Sequence, residues 1–141
     1  MIFDAENWQD SWFRDQQFDV CVVGSGPAGI TLSRALARKG RNVALFEGGR
    51  EILSPESQEL YAGDIVGMNY WPLETTRLRF FGGSSNHWQG WCRPLDAWDF
   101  LPRDVNPHSG WPITKSDLDG YAAETAEILD LQPSMPVADK S

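Results

Sequence analysis

Positive charge is scarce in this sequence. Its 12 lysines and arginines stand against 20 aspartates and glutamates, which gives a formal net charge of −8 at pH 7. Proteins that bind nucleic acid neutralise phosphates with basic residues, so this acidic balance argues against a nucleic-acid partner. Apolar residues never continue for the roughly 18 positions that a transmembrane helix needs, so we expect no membrane span.

Cysteine and histidine are also rare, with two of each among 141 residues. Cys21 and Cys92 form no spacing typical of a metal site, and we assign no metal ligand. Because Cys21 falls inside an apolar run, we expect an inert buried side chain there. The N-terminal residues 1–17 lack the basic segment and apolar core of a secretory signal, so we expect a cytoplasmic protein with reduced thiols.

The first organised part of the chain is a β–α–β unit that follows an N-terminal arm over residues 1–16. Residues 18–23 are short, apolar and rich in β-branched side chains, which predicts a buried strand. Residues 27–39 have apolar side chains at helical spacing, and Gly40 suits the left-handed position just after a helix end. Residues 43–46, VALF, predict a second strand.

The rest of the chain has weaker patterns. Residues 50–61 predict a turn of helix, and residues 65–66 and 78–81 are the remaining strand candidates. Residues 82–113 are interrupted by prolines and predict a long loop, whereas residues 114–131 predict one continuous C-terminal helix. A doubly wound sheet needs several covered parallel strands. The fold class we predict is therefore α/β, with a partial Rossmann-like domain whose sheet is incomplete.

A glycine pattern, G-x-G-x-x-G, joins the first predicted strand to the helix. Gly24 makes the tight turn, Gly26 lets backbone N–H groups approach a pyrophosphate, and Gly29 lets helix and strand pack closely. Glu47 ends the second strand, where a carboxylate accepts hydrogen bonds from the ribose of FAD or NAD rather than NADP. A glycine-rich turn without a ligand is the alternative. The predicted dinucleotide contacts are Gly24, Ser25, Gly26, Pro27, Ala28, Gly29, Glu47, Gly48 and Gly49.

Three stretches together resemble the glucose-methanol-choline (GMC) family of FAD oxidoreductases, and especially its bacterial sugar and polyol members and pyranose oxidase. They are FDVCVVGSGPAGITLSRALARKGRNVALFEGG, LRFFGGSSNHWQGWCRPLD and SGWPITKSDLDGYAAETAEILDL, and they cover roughly residues 17–131. The resemblance implies FAD as cofactor and oxidation of a sugar or polyol alcohol by hydride transfer to the flavin. It also implies that residues 17–141 form only the N-terminal part of the FAD-binding domain. The family's catalytic histidine lies in a later part that nothing here matches.

The same resemblance assigns the loop GGSSNHW to the pyrophosphate and isoalloxazine ring of FAD. Its glycines would allow close approach, and Ser84, Ser85 and Asn86 would supply hydrogen bonds. His87, followed by Trp88, has the spacing of the histidine that pyranose oxidase bonds covalently to its flavin. A covalent bond, a noncovalent contact and a loop histidine satisfied by backbone carbonyls all stay open. The contacts implied are Arg79 near the phosphates, Gly82, Gly83, Ser84, Asn86, His87 and Trp88.

Three other interpretations stand beside this one. The chain could be a non-catalytic flavin-binding or assembly subunit of a split enzyme that a second polypeptide completes. It could be an inactive gene fragment, or an NAD-binding oxidoreductase domain. In every case we assign cofactor-binding residues and no catalytic residue, and we expect the chain alone to be inactive.

Overall fold

The computed structural model describes residues 2–7 and 14–131. The chain divides into two compact units, Met1–Gly90 and Trp91–Ser141. No helix in these described ranges is both long and apolar enough to cross a membrane. The first unit holds β1 (Val20–Val23), α1 (Pro27–Arg38), β2 (Val43–Phe46), α2 (Pro55–Glu59) and α3 (Leu73–Thr76), and the second holds α4 (Lys115–Asp119) and α5 (Ala122–Ile128). Short 3₁₀ turns lie at Ala5–Asn7, Gly83–Asn86 and Ala97–Phe100.

A parallel strand pair joined by α1 is the centre of the first unit. Val20 of β1 lies opposite Val43 of β2, and Val23 lies opposite Phe46. Parallel neighbours require a crossover connection, which α1 supplies. The predicted α/β class, with an incomplete sheet, is confirmed because the described sheet contains two parallel strands.

The C-terminus of α1 ends as the sequence predicts. Gly40 adopts a φ of 77°, a left-handed conformation that costs glycine little. Its N–H donates to the carbonyl of Ala37 at 2.9 Å, and the N–H of Arg41 donates to that of Leu36 at 3.1 Å. These two bonds form a Schellman motif, which satisfies carbonyls that the helix end would otherwise leave unpaired.

One face of the two-stranded sheet is open. Successive side chains of a strand point to opposite faces, and Val22 is buried on the face that α1 covers. Val23 is 83% exposed on the other face, and Cys21 is exposed as well. The prediction that Cys21 is a buried core residue is therefore wrong, because its side chain is exposed on this open face of the sheet.

The secondary structure predicted for the residues between β2 and the GGSSNHW loop is confirmed only in part. The expected turn of helix within residues 50–61 is confirmed as α2, but residues 65–66 are not a strand. Residues 78–81 form a single parallel bridge, between Phe80 and Arg50, instead of a strand. The short helix α3 has no clear sequence signal and was not expected.

The continuous helix predicted over residues 114–131 is wrong, because the chain forms α4 and α5 instead. Gly120 and Tyr121 separate them, and the N–H of Tyr121 donates to the carbonyl of Leu118, three residues back, at 3.0 Å. Glycine lowers helix propensity, which favours a break at this point. The start of α4 is capped, since the N–H and hydroxyl of Thr114 both donate to the Asp117 carboxylate at 2.7 Å.

Candidate functional site

A cleft of about 460 Å³ lies at the carboxyl ends of β1 and β2, the position at which open α/β sheets bind their ligands. The sequence predicts eight of the residues that line it: Gly24, Gly26, Pro27, Glu47, Gly48, Arg79, Gly83 and Ser84. Four more lining residues, Val23, Tyr61, Arg77 and Leu78, were not predicted. The cleft therefore brings the glycine motif, the end of β2 and the GGSSNHW loop together within the first unit.

The three motif glycines differ in backbone conformation and in packing. Gly24 has a φ of 98°, a conformation that other residues rarely adopt. A Cβ on Gly29 would lie 1.9 Å from the carbonyl oxygen of Gly24, so this glycine is required by packing, as predicted. Gly26 has an ordinary φ of −66°, and a Cβ there would meet no described atom within 4 Å. Neither conformation nor packing explains Gly26, and its missing side chain leaves the backbone open to the cleft.

The N-terminus of α1 is directed at this cleft. Gly26 is the N-cap and Pro27 the first helical residue, and no side chain in the described part of the chain caps the helix. The first N–H groups of a helix lack partners within it, and they carry the positive end of the helix dipole. This end of α1 can therefore bind an anionic group such as a phosphate.

Glu47 connects the end of β2 to the glycine motif. Its Oε2 accepts hydrogen bonds from the N–H of Ser25 at 2.9 Å and from the Ser25 hydroxyl at 2.7 Å. Its Oε1 accepts from the N–H of Gly49 at 2.9 Å. Burial raises the pKa of Glu47, but the hydrogen bonds from Gly49, Ser25 and Gly48 outweigh it and hold the pKa below its ordinary value. The side chain is therefore a fixed carboxylate at neutral pH.

Ser25 also contacts the GGSSNHW loop. It is fully buried, and its hydroxyl oxygen accepts a hydrogen bond from the N–H of Gly82 at 3.1 Å. Next to this bond, a Cβ on Gly83 would lie 3.5 Å from the Cα of Gly26. The two glycine-rich loops, which the sequence assigns to one ligand, thus touch each other directly.

The polar side chains of the GGSSNHW loop form hydrogen bonds with backbone groups of the loop and of the residues just before it. The Ser85 hydroxyl donates to the carbonyl of Gly82 at 2.6 Å, and the amide of Asn86 donates to two nearby carbonyls at 2.9 Å. Ser84 Oγ accepts from the N–H of Leu78 at 3.2 Å. These bonds stabilise the turn, and among the three residues only Ser84 lines the cleft.

His87 and Trp88 lie beyond the part of the loop that lines the cleft. Both side chains are exposed, and the backbone N–H of His87 donates to the carbonyl of Ser84 at 3.2 Å. Ala28, Gly29, Gly49 and Gly82 likewise stand outside the lining. A contact between His87 and a flavin therefore stays a prediction.

Two arginines reach the cleft because α2 holds their segment. Gln58 donates to the carbonyls of Glu74 and Arg77, each at 2.6 Å, and accepts from the N–H of Arg79 at 2.9 Å. The guanidinium of Arg79 also donates to the hydroxyl of Ser57 at 2.7 Å. The sequence analysis did not predict Arg77 as a site residue. In an extended chain, however, residues two positions apart point to the same side, so Arg77 could have been predicted to lie on the same side as Arg79.

Comparisons with known proteins agree with this geometry. Residues 22–61 match the family model described as an NAD(P)-binding Rossmann-like domain. The chain is 32% identical over 124 residues to 6'''-hydroxyparomomycin C oxidase of Streptomyces lividus, which covers 76% of this chain and 22% of that protein. It is 48% identical over 69 residues to 6-methylpretetramide 4-monooxygenase of Streptomyces rimosus, or 43% of this chain and 15% of that protein.

A third similarity is to thiamine thiazole synthase of Solidesulfovibrio magneticus, 45% identical over 42 residues, or 30% of this chain and 16% of that protein. The chain spans about a fifth, or less, of the length of these relatives. No solved structure gives a significant match. The β–α–β geometry and the family model together indicate a Rossmann-like dinucleotide-binding fold over residues 22–61.

Proposed function

We propose that the cleft binds FAD and that residues 17–141 form the N-terminal part of the FAD-binding domain of a GMC-type oxidoreductase. The complete enzyme would oxidise an alcohol group of a sugar or polyol. The observation that carries the cofactor assignment is Gly26, since neither its φ of −66° nor any described atom within 4 Å of a Cβ requires a glycine. Close approach of a pyrophosphate to the first turn of α1 gives the reason.

The charges around the cleft fit the pyrophosphate and the ribose of such a ligand. Arg77 and Arg79 line it and supply cations for phosphate oxygens. Glu47, ionised and fixed by Ser25 and Gly49, would accept a ribose hydroxyl with its remaining lone pairs and would repel a 2′-phosphate. This arrangement supports FAD or NAD over NADP.

The GGSSNHW loop supports FAD over NAD. In the GMC family the equivalent loop approaches both pyrophosphate and flavin, and here Gly83 lies against Gly26 at the start of α1. The loop residues Gly82, Gly83 and Ser84 would therefore cover the pyrophosphate, while His87 and Trp88 would extend towards the flavin. We propose that His87 makes a noncovalent contact with the flavin.

Alcohol oxidation is supported by one similarity in particular. A relative that matches 76% of this chain, well beyond residues 22–61, is named as an oxidase of a compound that carries a 6'''-hydroxy group. Bound FAD would accept the hydride from the alcohol carbon. We assign no catalytic base within these residues, and the exposed face of β1 at Cys21, which lies outside the cleft lining, favours further polypeptide against this sheet.

Anaerobic flavin reduction tests the reaction class. The purified complete enzyme, and not residues 1–141 alone, is mixed with FAD and then with a panel of sugars and polyols, and the visible absorbance of the flavin is followed. We expect bleaching by at least one alcohol, with an equivalent amount of carbonyl product. Flavin binding without bleaching by any of them would instead favour a non-catalytic flavin-binding subunit, and bleaching by NADH alone would contradict alcohol oxidation.

A further inference from the structure

The hydroxyl of Ser25 stands between two loops that belong to different parts of the sequence. It is fully buried, donates to Glu47 Oε2 at 2.7 Å and accepts from the N–H of Gly82 at 3.1 Å. The residues it joins are 22 and 57 positions away along the chain. A hydroxyl with both a donor and an acceptor bond satisfied can hold two segments at a fixed distance.

The direction of this hydrogen-bond chain is set by Glu47. An ionised carboxylate only accepts, so the Ser25 proton must point at Glu47, and the lone pairs of the hydroxyl oxygen are left for the N–H of Gly82. The Ser25 N–H donates to the same carboxylate oxygen at 2.9 Å, which fixes the side chain further. Hydrogen bonds to a charged acceptor are stronger than neutral ones, so the relay has one stable orientation.

The bond at Gly82 decides where the next residue lies. Gly82 is buried with a φ of 88°, and Gly83 follows against Gly26, with 3.5 Å between its Cβ position and the Gly26 Cα. Without the Ser25 hydroxyl, the N–H of Gly82 would be buried beside a gap and without a partner. The two loops would then lose the one side-chain hydrogen bond that joins them in the described structure.

We propose that Ser25 is a positioning residue, whose hydroxyl docks the Gly83–Asn86 turn on the glycine motif so that both loops close on one dinucleotide. Ser25 acts through Gly82 and Glu47 and does not need to touch the ligand. The identity of the ligand, FAD, rests on the proposed function, but the docking of the loops does not.

Replacing Ser25 tests this role. We expect Ser25→Ala to weaken FAD binding to the full-length protein by about tenfold, the usual result of leaving a buried donor unpaired. Amide hydrogen exchange of the ligand-free protein should accelerate at Gly82 by a similar factor. Exchange at Gly40, whose N–H donates to the carbonyl of Ala37 at 2.9 Å outside both loops, should stay unchanged and serves as an internal reference. If Ser25→Ala does not fold, Ser25→Cys fills nearly the same space with a weak hydrogen-bonding group.

Ser109→Ala is the matched control. The Ser109 hydroxyl also accepts a backbone N–H, that of Arg103 at 2.7 Å, but it lies in the second unit. This variant should leave both FAD affinity and exchange at Gly82 unchanged. A double-mutant cycle adds Glu47→Gln, because residues of one relay give non-additive effects. We expect the affinity of the double variant Ser25→Ala/Glu47→Gln for FAD to equal that of whichever single variant binds FAD less tightly.

The outcomes separate this inference from the proposed function. If the wild-type protein binds no FAD, the proposed function fails, while the exchange rates at Gly82 still test the docking. If the wild type binds FAD but Ser25→Ala matches it in affinity and in exchange at Gly82, the positioning role is overturned. Additive effects of Ser25→Ala and Glu47→Gln would also overturn it, because the relay requires the two side chains to act together.

Discussion

The carbonyl oxygen of Gly24 lies 1.9 Å from the point where a Cβ on Gly29 would be. Helix α1 thus packs against the end of β1 with no room for a side chain. Three positions earlier, at Gly26, the situation is reversed, since a Cβ there would meet no described atom within 4 Å. Packing therefore requires Gly29, whereas no described packing contact requires Gly26, which agrees with the ligand role that we propose for it.

Alanine substitutions should separate these two glycines. We predict that Gly29→Ala destabilises the protein by about 3 kcal/mol or more, because backbone atoms must move to admit the methyl group. We predict that Gly26→Ala changes stability by less than about 1 kcal/mol but weakens FAD binding at least about tenfold. Thermal unfolding and a fluorescence titration measure the two effects. Equal losses of stability in both variants would contradict the ligand role of Gly26.

Protonation of Glu47 should loosen the site at acid pH. Because its pKa is lowered in the folded protein, the hydrogen bonds from Ser25 and Gly49 contribute stability above the pKa of the unfolded chain. That contribution is lost as the pH falls through the lower pKa of the folded state. We therefore predict that stability declines below the ordinary pKa of a glutamate, about 4.3, and that FAD affinity declines at the lower pH at which the folded carboxylate becomes protonated.

Glu47→Gln provides the control for this pH dependence. It should be less stable than the wild type by about 1–2 kcal/mol at pH 7. Its stability should also fall less at acid pH, because it lacks the carboxylate that titrates. Denaturation curves are best taken at low protein concentration, because the sequence pI is about 4.6 and a chain near zero net charge tends to associate. Identical acid profiles for both proteins would rule out Glu47 as the titrating group.

Arg79 should contribute a charge to ligand binding. We predict that Arg79→Gln weakens FAD binding by about tenfold and reduces its dependence on salt, because one cation near the phosphates is removed. Arg50→Gln is the matched control, since Arg50 pairs with Glu6 at 2.7 Å and does not line the cleft. Loss of affinity to the same extent in both variants would point to overall charge and not to a contact at Arg79.

We predict that His87 forms no covalent bond with the flavin. Its side chain is exposed and lies outside the cleft lining, so nothing in the described part of the structure fixes the ring for bond formation. We predict that acid precipitation of the protein saturated with FAD releases the flavin into the supernatant, and that His87→Ala weakens binding by about threefold. Flavin retained in the pellet, with a mass shift on the peptide that contains His87, would disprove the noncovalent contact.

The open face of β1 should be protected when further polypeptide covers it. Cys21 and Cys92 are both exposed, but only Cys21 lies on the sheet. We predict that a thiol reagent labels both cysteines in residues 1–141 expressed alone, and labels Cys21 at least about tenfold more slowly in the complete enzyme, because burial removes a thiol from the reagent. Equally fast labelling of Cys21 in both samples would show that this face stays open.

Local signals predicted the β–α–β unit well. The apolar runs, Pro27 at the first helical position and Gly40 at the helix end each depend on residues within a few positions. The structure confirms β2 as Val43–Phe46 and α1 as Pro27–Arg38. The helix predicted from residue 114 onward failed for a local reason as well, since Gly120 outweighs a continuous apolar stripe.

The features that the sequence did not predict depend on distant contacts. Arg77 reaches the cleft because Gln58 of α2 holds the segment after α3, and Tyr61 lines the cleft without a local sequence signal. The exposure of Cys21 depends on which elements cover the sheet, and an apolar run does not carry that information. Ser25 was predicted as a ligand contact, whereas the structure assigns its hydroxyl to Glu47 and Gly82.

The central claim, that this cleft is an FAD site, is tested most directly by one set of equilibrium titrations. Wild-type protein and Gly26→Ala are each titrated with FAD, NAD and NADP at neutral pH and fixed salt. We predict that the wild type binds FAD at least about tenfold more tightly than NAD or NADP, and that Gly26→Ala loses this binding while remaining folded. Tight binding of NAD without binding of FAD, or FAD affinity unchanged in Gly26→Ala, would contradict it.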